Sequence, residues 1–184
     1  MKFRLTEKFS KSEQGGMSVD AMFALPLLIW AVTATFVFFD AFKTLNVGQK
    51  ATYTVADMLS RETDPIDADY LTTMREMFSY LSNGTRDHAI RVTVVRMVED
   101  ADTGEKSREM VWSQGVGGFS GHTDLQLIES RLPDMASGDQ MIVVESKQEW
   151  TPAFAVGLAS YKFHEYAISR PRFAPQLVWE GGAA

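Results

Sequence analysis

A run of nineteen residues without a charged side chain, Ala21 to Phe39, lies near the start of the chain. As a helix it would span roughly 28 Å, close to the hydrocarbon thickness of a bilayer. Buried core helices are usually shorter. A removable secretory signal has an apolar region of about 7 to 15 residues followed by an A-x-A-like cleavage site, which the polar chain after Phe39 lacks. The run therefore predicts a transmembrane helix, placed over residues 16–40.

Charged residues on either side of this run bear on its orientation. The leader carries four basic and two acidic side chains, so its net charge is 4 − 2 = +2. An excess of basic residues favours the cytoplasmic side, which predicts a cytoplasmic N-terminus. Lys43 and Lys50 follow soon after the run and weaken this asymmetry.

The junction between leader and apolar run contains Gly15, Gly16 and, shortly after them, Asp20. A glycine followed by an acid at the fifth position and then a hydrophobic helix resembles the type IV prepilin cleavage site. The segment Ala24 to Leu28 also resembles the apolar part of TadE-like minor pseudopilins, which are accessory proteins of tight-adherence (Tad) pili. In that family an aspartyl prepilin peptidase cuts directly after a glycine, so the resemblance implies a removable cytoplasmic leader over residues 1–15. Cutting after Gly16 instead would make Asp20 the fourth mature residue.

Two further residues of this region take their expected roles from its position at the membrane. Asp20 is expected to pair with the new α-amino group of the mature chain and to set register during assembly, because a carboxylate at the membrane edge is costly without a partner. Its other possible role is that of a helix N-cap. Pro26 removes one backbone donor and is expected to kink the helix. Asp20 departs from the family pattern, where glutamate is usual.

The resemblance implies a substrate of the peptidase rather than an enzyme. Its expected partners are the membrane, the prepilin peptidase and other pilin and pseudopilin subunits, and its expected place is the bacterial inner membrane, with the outer domain in the periplasm or in a pilus. A second hypothesis is a plain single-pass envelope protein whose outer domain binds a partner and whose glycines form a linker. A third is an envelope enzyme with an unrecognised site.

Residues 41–184 predict an α+β domain of the pilin type. The first helix is expected to continue past Asp40, with Gly48 as a weak point. A second helix is predicted from Asp64-Pro65 to Asn83-Gly84. Alternating apolar residues then predict an antiparallel sheet of about four strands. Those strands are placed from Ala89, over Ser107–Ser113, over Met141–Trp150 and over Tyr161–Ser169, with a loop at Gln114–Asp124, a short helix at Leu125–Arg131 and an extended segment at Arg170–Pro175.

Other chemistry is poorly supported by the sequence. The chain has no cysteine, and its net charge of −6 without a basic stripe argues against nucleic acid. No cofactor or metal is expected, because the histidines lie far apart and lack ligand spacing. Gly118 to His122 falls short of a G-x-S-x-G motif by its last residue. The three histidines, each expected to be an ordinary surface or core residue, are His88, His122 and His164.

Overall fold

The computed structural model describes residues 14–82 and 88–181, with side chains from Val19 onward. It confirms the predicted α+β fold, with a long N-terminal helix, a second helix and a four-stranded antiparallel sheet. The elements in chain order are α1 (Gln14–Leu59), α2 (Ala68–Leu81), β1 (His88–Glu99), β2 (Lys106–Val116), α3 (Gln126–Glu129), β3 (Gln140–Trp150) and β4 (Tyr161–Ser169).

The chain divides into two compact units. The first, here called the anchor unit, comprises α1 as far as Ala41 together with Pro152–Ala159. The second, the outer unit, comprises Phe42–Thr151 and the chain from Ser160 onward. In the anchor unit, every side chain from Val19 to Ala31 is exposed, whereas Ala34 and Val37 are buried.

The sheet of the outer unit has the strand order β2-β1-β3-β4, with every neighbouring pair antiparallel. Val92 of β1 lies opposite Val144 of β3, which in turn lies opposite Ala167 of β4. Because side chains alternate across a strand, this register gathers one apolar row on a single face. That row and its neighbours form the main core of the outer unit.

The C-terminal half of α1 packs on this face with small and apolar residues. Ala51, Val55 and Leu59 belong to the main core, together with Phe78 of α2. Gly48 is a close approach rather than a weak point in the helix. A Cβ atom there would lie 2.1 Å from Nε2 of Gln148, which is buried and donates to the Thr44 carbonyl at 2.9 Å.

The segment between β2 and β3 covers the opposite face of the sheet. Ile128 and Leu132 from this segment pack with Val95 and Val143 of the sheet. A separate small cluster joins Met135 to methionines of β1 and β3. The central strands β1 and β3 are therefore covered on both faces, by α1 and α2 on one face and by the β2–β3 connection, which includes α3, on the other.

The chain after β4 forms hydrogen bonds with the segment that follows α1 and with the sheet. The backbone N–H of Arg172 donates to the Ser60 carbonyl at 2.8 Å, and Ile66 pairs with the segment around Trp179 in a parallel bridge. The indole N–H of Trp112 donates to the Leu177 carbonyl at 3.0 Å. Residues 170–175, predicted to be extended, contain neither helix nor strand, and the chain bends over 172–175.

Several boundaries differ from the prediction. The second helix begins at Ala68, because the carboxylate of Asp67 accepts the Tyr70 N–H at 2.7 Å and caps the helix. Strand β2 continues to Val116, into the predicted loop, because it stays paired with β1 through Ile90. The predicted helix end at Asn83-Gly84 lies outside the described residues.

Candidate functional site

The predicted processing residues lie at the start of α1. The helix begins at Gln14, so Gly15 and Gly16 both have helical backbone. Residues 1–13 of the predicted leader lie outside the described part of the chain. Asp20 lies inside the helix and is exposed, so it does not cap the helix N-terminus as one interpretation of the sequence expected.

Pro26 lies within α1 and is exposed. The helix runs on without a break, although proline has no N–H to donate to the Met22 carbonyl. The predicted site residues therefore form a linear series along one helix rather than a pocket.

The surface of α1 around Pro26 is apolar and uncovered. The exposed fractions of Met22, Phe23, Phe36 and Phe39 range from 69% to 73%. Within the described residues, α1 is long and apolar enough to cross a membrane, and only 11% of its most apolar 18-residue window is buried. A core helix of this composition would be mostly buried, so packing within the chain does not account for the apolar surface.

The outer unit contains a buried charge cluster centred on Glu145 in β3, which is 2% exposed. One carboxylate oxygen, Oε2, accepts from Nε of Arg91 at 2.7 Å and lies 2.7 Å from Nε2 of His122. The other oxygen lies 3.2 Å from Nε2 of His164. Three side chains from β1, the β2–β3 connection and β4 thus converge on one carboxylate.

Opposing effects set the ionisation of this carboxylate. Burial disfavours the charged form, but hydrogen bonds with His164, Arg91 and His122 and the charge of Arg91 outweigh burial and hold the pKa of Glu145 well below its usual range. Burial and the nearby charge of Glu145 raise the pKa of Tyr166 to about 12, against a smaller opposite effect of Arg131. The carboxylate is therefore ionised and the phenol neutral at pH 7.

Phe119 covers this cluster with its aromatic ring and is itself 8% exposed. The guanidinium carbon of Arg91 lies 4.5 Å from the ring centroid and Nζ of Lys147 lies 3.9 Å from it. The ring of His164 lies 5.6 Å away, centroid to centroid. Cations over an aromatic face are attracted by its quadrupole, so Phe119 holds the basic side chains in place.

The β2–β3 connection reaches this position through a tight turn. Gly117 has a φ of +76°, and a Cβ atom there would lie 2.2 Å from the His88 carbonyl oxygen. Further along, the backbone N–H of His122 donates to the Ser113 hydroxyl at 2.8 Å, and that hydroxyl also pairs with Thr93. The close turn and this hydrogen bond bring the His122 side chain to Glu145.

The geometry of the cluster fits a structural role, in which one carboxylate links several segments of the chain. A carboxylate that already interacts with three partners and has a lowered pKa is a poor general base. No group of three or more His, Cys, Asp or Glu side chains within the described residues could hold a metal ion. The cluster joins four segments of the chain around one neutralised charge.

The sequence prediction treated His122 and His164 as unrelated residues, and the structure brings both to Glu145. One signal was present in the sequence: Glu145 directly follows Ile142, Val143 and Val144 in an apolar strand. Buried carboxylates are normally paired, so a charge at that position implies partners. It does not identify them, because their positions depend on strand order and on the path of a 23-residue connection, 117–139.

Comparisons of the chain with protein-family models, with curated proteins and with solved structures give no match.

Proposed function

We propose that this chain is a minor pilin or pseudopilin that is anchored by α1 as a single membrane span, processed after Gly15 and used in assembling a Tad-type adhesive pilus. The observation that carries the proposal is the apolar surface of α1, exposed on all sides from Ala21 to Ala31 and preceded by a glycine–acid junction. Such a surface requires lipid or other subunits around it, and a pilin-type subunit meets both in turn.

Cleavage between Gly15 and Gly16 requires the start of α1 to unwind, because both residues are helical. Glycine is less favourable in a helix than alanine by about 1 kcal/mol, so two adjacent glycines make this turn easy to open. A mature chain beginning at Gly16 would make Asp20 its fifth residue, about one turn from the new N-terminus of the helix. There the carboxylate meets free backbone N–H groups, the positive end of the helix dipole and the new α-amino group.

Intact mass after co-expression with a prepilin peptidase tests the processing step. The expected product begins at Gly16, and Gly15→Val is expected to block the cut because a side chain restricts entry of extended backbone into the protease. Gly16→Ala is the matched control and is expected to be processed. A full-length chain in every sample, with a known prepilin processed in parallel, would contradict the proposal.

The assembly role of Asp20 needs a separate measurement, because cleavage and assembly are different steps. Asp20→Ala is expected to be cleaved and inserted normally but to be lost from pili sheared from cells. Asp20→Glu keeps the charge and is expected to assemble. Equal recovery of both variants in the pilus fraction would rule out an assembly role for the carboxylate.

A second candidate function, a single-pass envelope protein whose outer unit binds a partner, is favoured by one surface feature. An open depression of about 420 Å³ has Met141 and Ile168 at its apolar part and Asp134, Arg170 and Arg172 among its polar residues. Arginines beside apolar surface are common in protein interfaces. This candidate predicts an uncut leader, so the mass measurement separates it from the first.

A further inference from the structure

The connection between β3 and β4 has an unusual composition for an exposed loop. From Thr151 to Tyr161 the sequence TPAFAVGLASY contains no charged residue. Phe154 is 59% exposed, and Ala153 and Ala155 are exposed beside it. The Val156 N–H donates to the Phe154 carbonyl at 3.0 Å, which closes a compact turn. Connecting loops usually run over the surface in water, so an uncharged stretch with an exposed aromatic ring is unusual there.

Contacts inside the outer unit show towards which end of α1 this connection extends. The Thr52 hydroxyl of α1 lies 2.6 Å from the Ser146 hydroxyl of β3, and Gln148 donates to the Thr44 carbonyl at 2.9 Å. Moving along β3 therefore means moving towards the apolar end of α1. Strand β3 ends at Trp150, and the chain then enters Pro152–Ala159, which belongs to the anchor unit.

Burial along α1 is consistent with protein cover at the membrane boundary. Ala34 and Val37 are buried although most of the surrounding helix is exposed. At a rise of 1.5 Å per residue, Ala34 lies about 7–8 Å inside the end of the uncharged run at Phe39. Interfacial protein segments enter a bilayer by about 5–10 Å, so the buried part of α1 extends to a depth that such a segment reaches.

Aromatic residues flank the connection at its junction with the strands. The ring centroids of Trp150 and Phe163 are 6.4 Å apart, and those of Tyr161 and Phe163 are 5.2 Å apart. Tyr161 is 62% exposed, and Lys162 follows it in the sequence. Aromatic and lysine side chains of this kind are enriched at the membrane–water interface.

From these observations we propose that Pro152–Ala159 is a second membrane contact, which enters the interfacial layer of the same leaflet from which α1 emerges. Its occupant is lipid. The inference rests on the single-span anchor of the proposed function but not on leader processing. It gives the outer unit two attachments to the bilayer, the helix and the connection.

Site-specific labelling tests the inference in the full chain, which has no cysteine of its own. Ala155→Cys, labelled with an environment-sensitive fluorophore, is placed in nanodiscs at one copy per disc. We expect a blue-shifted emission, quenching by lipids that carry a nitroxide near the headgroup, and protection from an aqueous quencher. Thr103→Cys in the exposed β1–β2 turn is the aqueous control, and Trp30→Cys in α1 is the control for insertion.

Each outcome is decisive. If Ala155→Cys behaves like Thr103→Cys while Trp30→Cys is quenched by lipid, the inference is wrong and the anchor stands. If Trp30→Cys is also in water, the anchor itself fails. Shielding of Ala155→Cys only when two copies share a disc would assign the surface to a second subunit and overturn the lipid assignment.

A charge substitution provides an independent test of the lipid contact. Phe154→Asp, combined with Ala155→Cys, is expected to abolish the lipid quenching, because a carboxylate does not enter apolar surroundings unpaired. Phe173→Asp is the matched control, since Phe173 is 67% exposed in the outer unit. Unchanged quenching in the Phe154→Asp protein would contradict the lipid contact.

Discussion

Replacing Glu145 with alanine removes the carboxylate on which Arg91, His122 and His164 converge. Loss of one partner from a buried ion pair typically costs 3–5 kcal/mol, because the other charge stays buried without compensation. The Arg91 side chain is 13% exposed and keeps its bond to the Ser120 carbonyl, whereas the His164 side chain is 37% exposed and loses less. We therefore expect a loss at the lower end of that range, about 3 kcal/mol in the free energy of unfolding.

This loss is measurable on the full chain in detergent micelles. For a protein of this size each kcal/mol lowers the Tm by about 2–4 °C, so Glu145→Ala is expected to melt about 6–12 °C below the parent. Circular dichroism and tryptophan fluorescence are the probes. Glu109→Ala is the matched control. The pair between Glu109 and Arg96 has side chains 57% and 45% exposed, so its removal is expected to cost no more than about 1 kcal/mol.

The pH dependence of the stability of a second variant separates the effect of the Glu145 charge from the effect of its side-chain shape. Glu145→Gln keeps the side-chain size and removes the charge. Because folding lowers the pKa of Glu145, its ionised form stabilises the fold fully above the unfolded-state pKa of about 4.3, and this stabilisation is lost as the pH falls below that value. The difference between parent and variant is expected to be large at pH 7 and to narrow progressively as the pH falls below about 4. A Glu145→Ala loss no larger than that of Glu109→Ala, or a pH-independent gap, would refute the reasoning.

Two further substitutions test the packing of the outer unit. Thr52→Val is expected to lower the free energy of unfolding by about 1–2 kcal/mol, because it leaves the buried Ser146 hydroxyl without that partner. Urea denaturation measures this loss. In the double variant with Ser146→Ala both hydroxyls are absent, and most of the lost stability is expected to return. Gly117→Ala is expected to lower the Tm far more than Gly118→Ala. Both glycines have positive φ, but only at Gly117 would the added Cβ meet backbone, 2.2 Å from the His88 carbonyl; equal Tm values would contradict the close approach.

Sequence patterns predicted the elements of this protein well because each depends on local chemistry. Strand β4 was predicted with its observed bounds, Tyr161–Ser169, and β3 to within one residue. The start of α2 was placed at Asp64-Pro65 because proline suits a first turn, but the Asp67 carboxylate captures the Tyr70 N–H and starts the helix later.

Features that depend on long-range packing could not be predicted in the same way. Gly48 looked like a weak point in the helix, since nothing local indicates that Gln148, one hundred residues away, occupies the space of its missing side chain. The Glu145 cluster likewise joins residues 19 to 54 positions from the carboxylate in sequence. Such contacts are fixed by strand order and register, which residue composition does not specify.

The close packing of α1 against β3 forms only after both elements have been synthesised. About ninety residues separate the end of α1 from the end of β3, which at 5–20 residues per second corresponds to about 5–20 s. During that interval the helix exists without the strand that will cover it. Around Gly48, Ala51 and Thr52 its surface offers little apolar area to other nascent chains, whereas Val55 and Leu59 further along are apolar. The small residues that permit the close final fit therefore also limit the apolar surface that this part of the helix exposes before the partner strand is made.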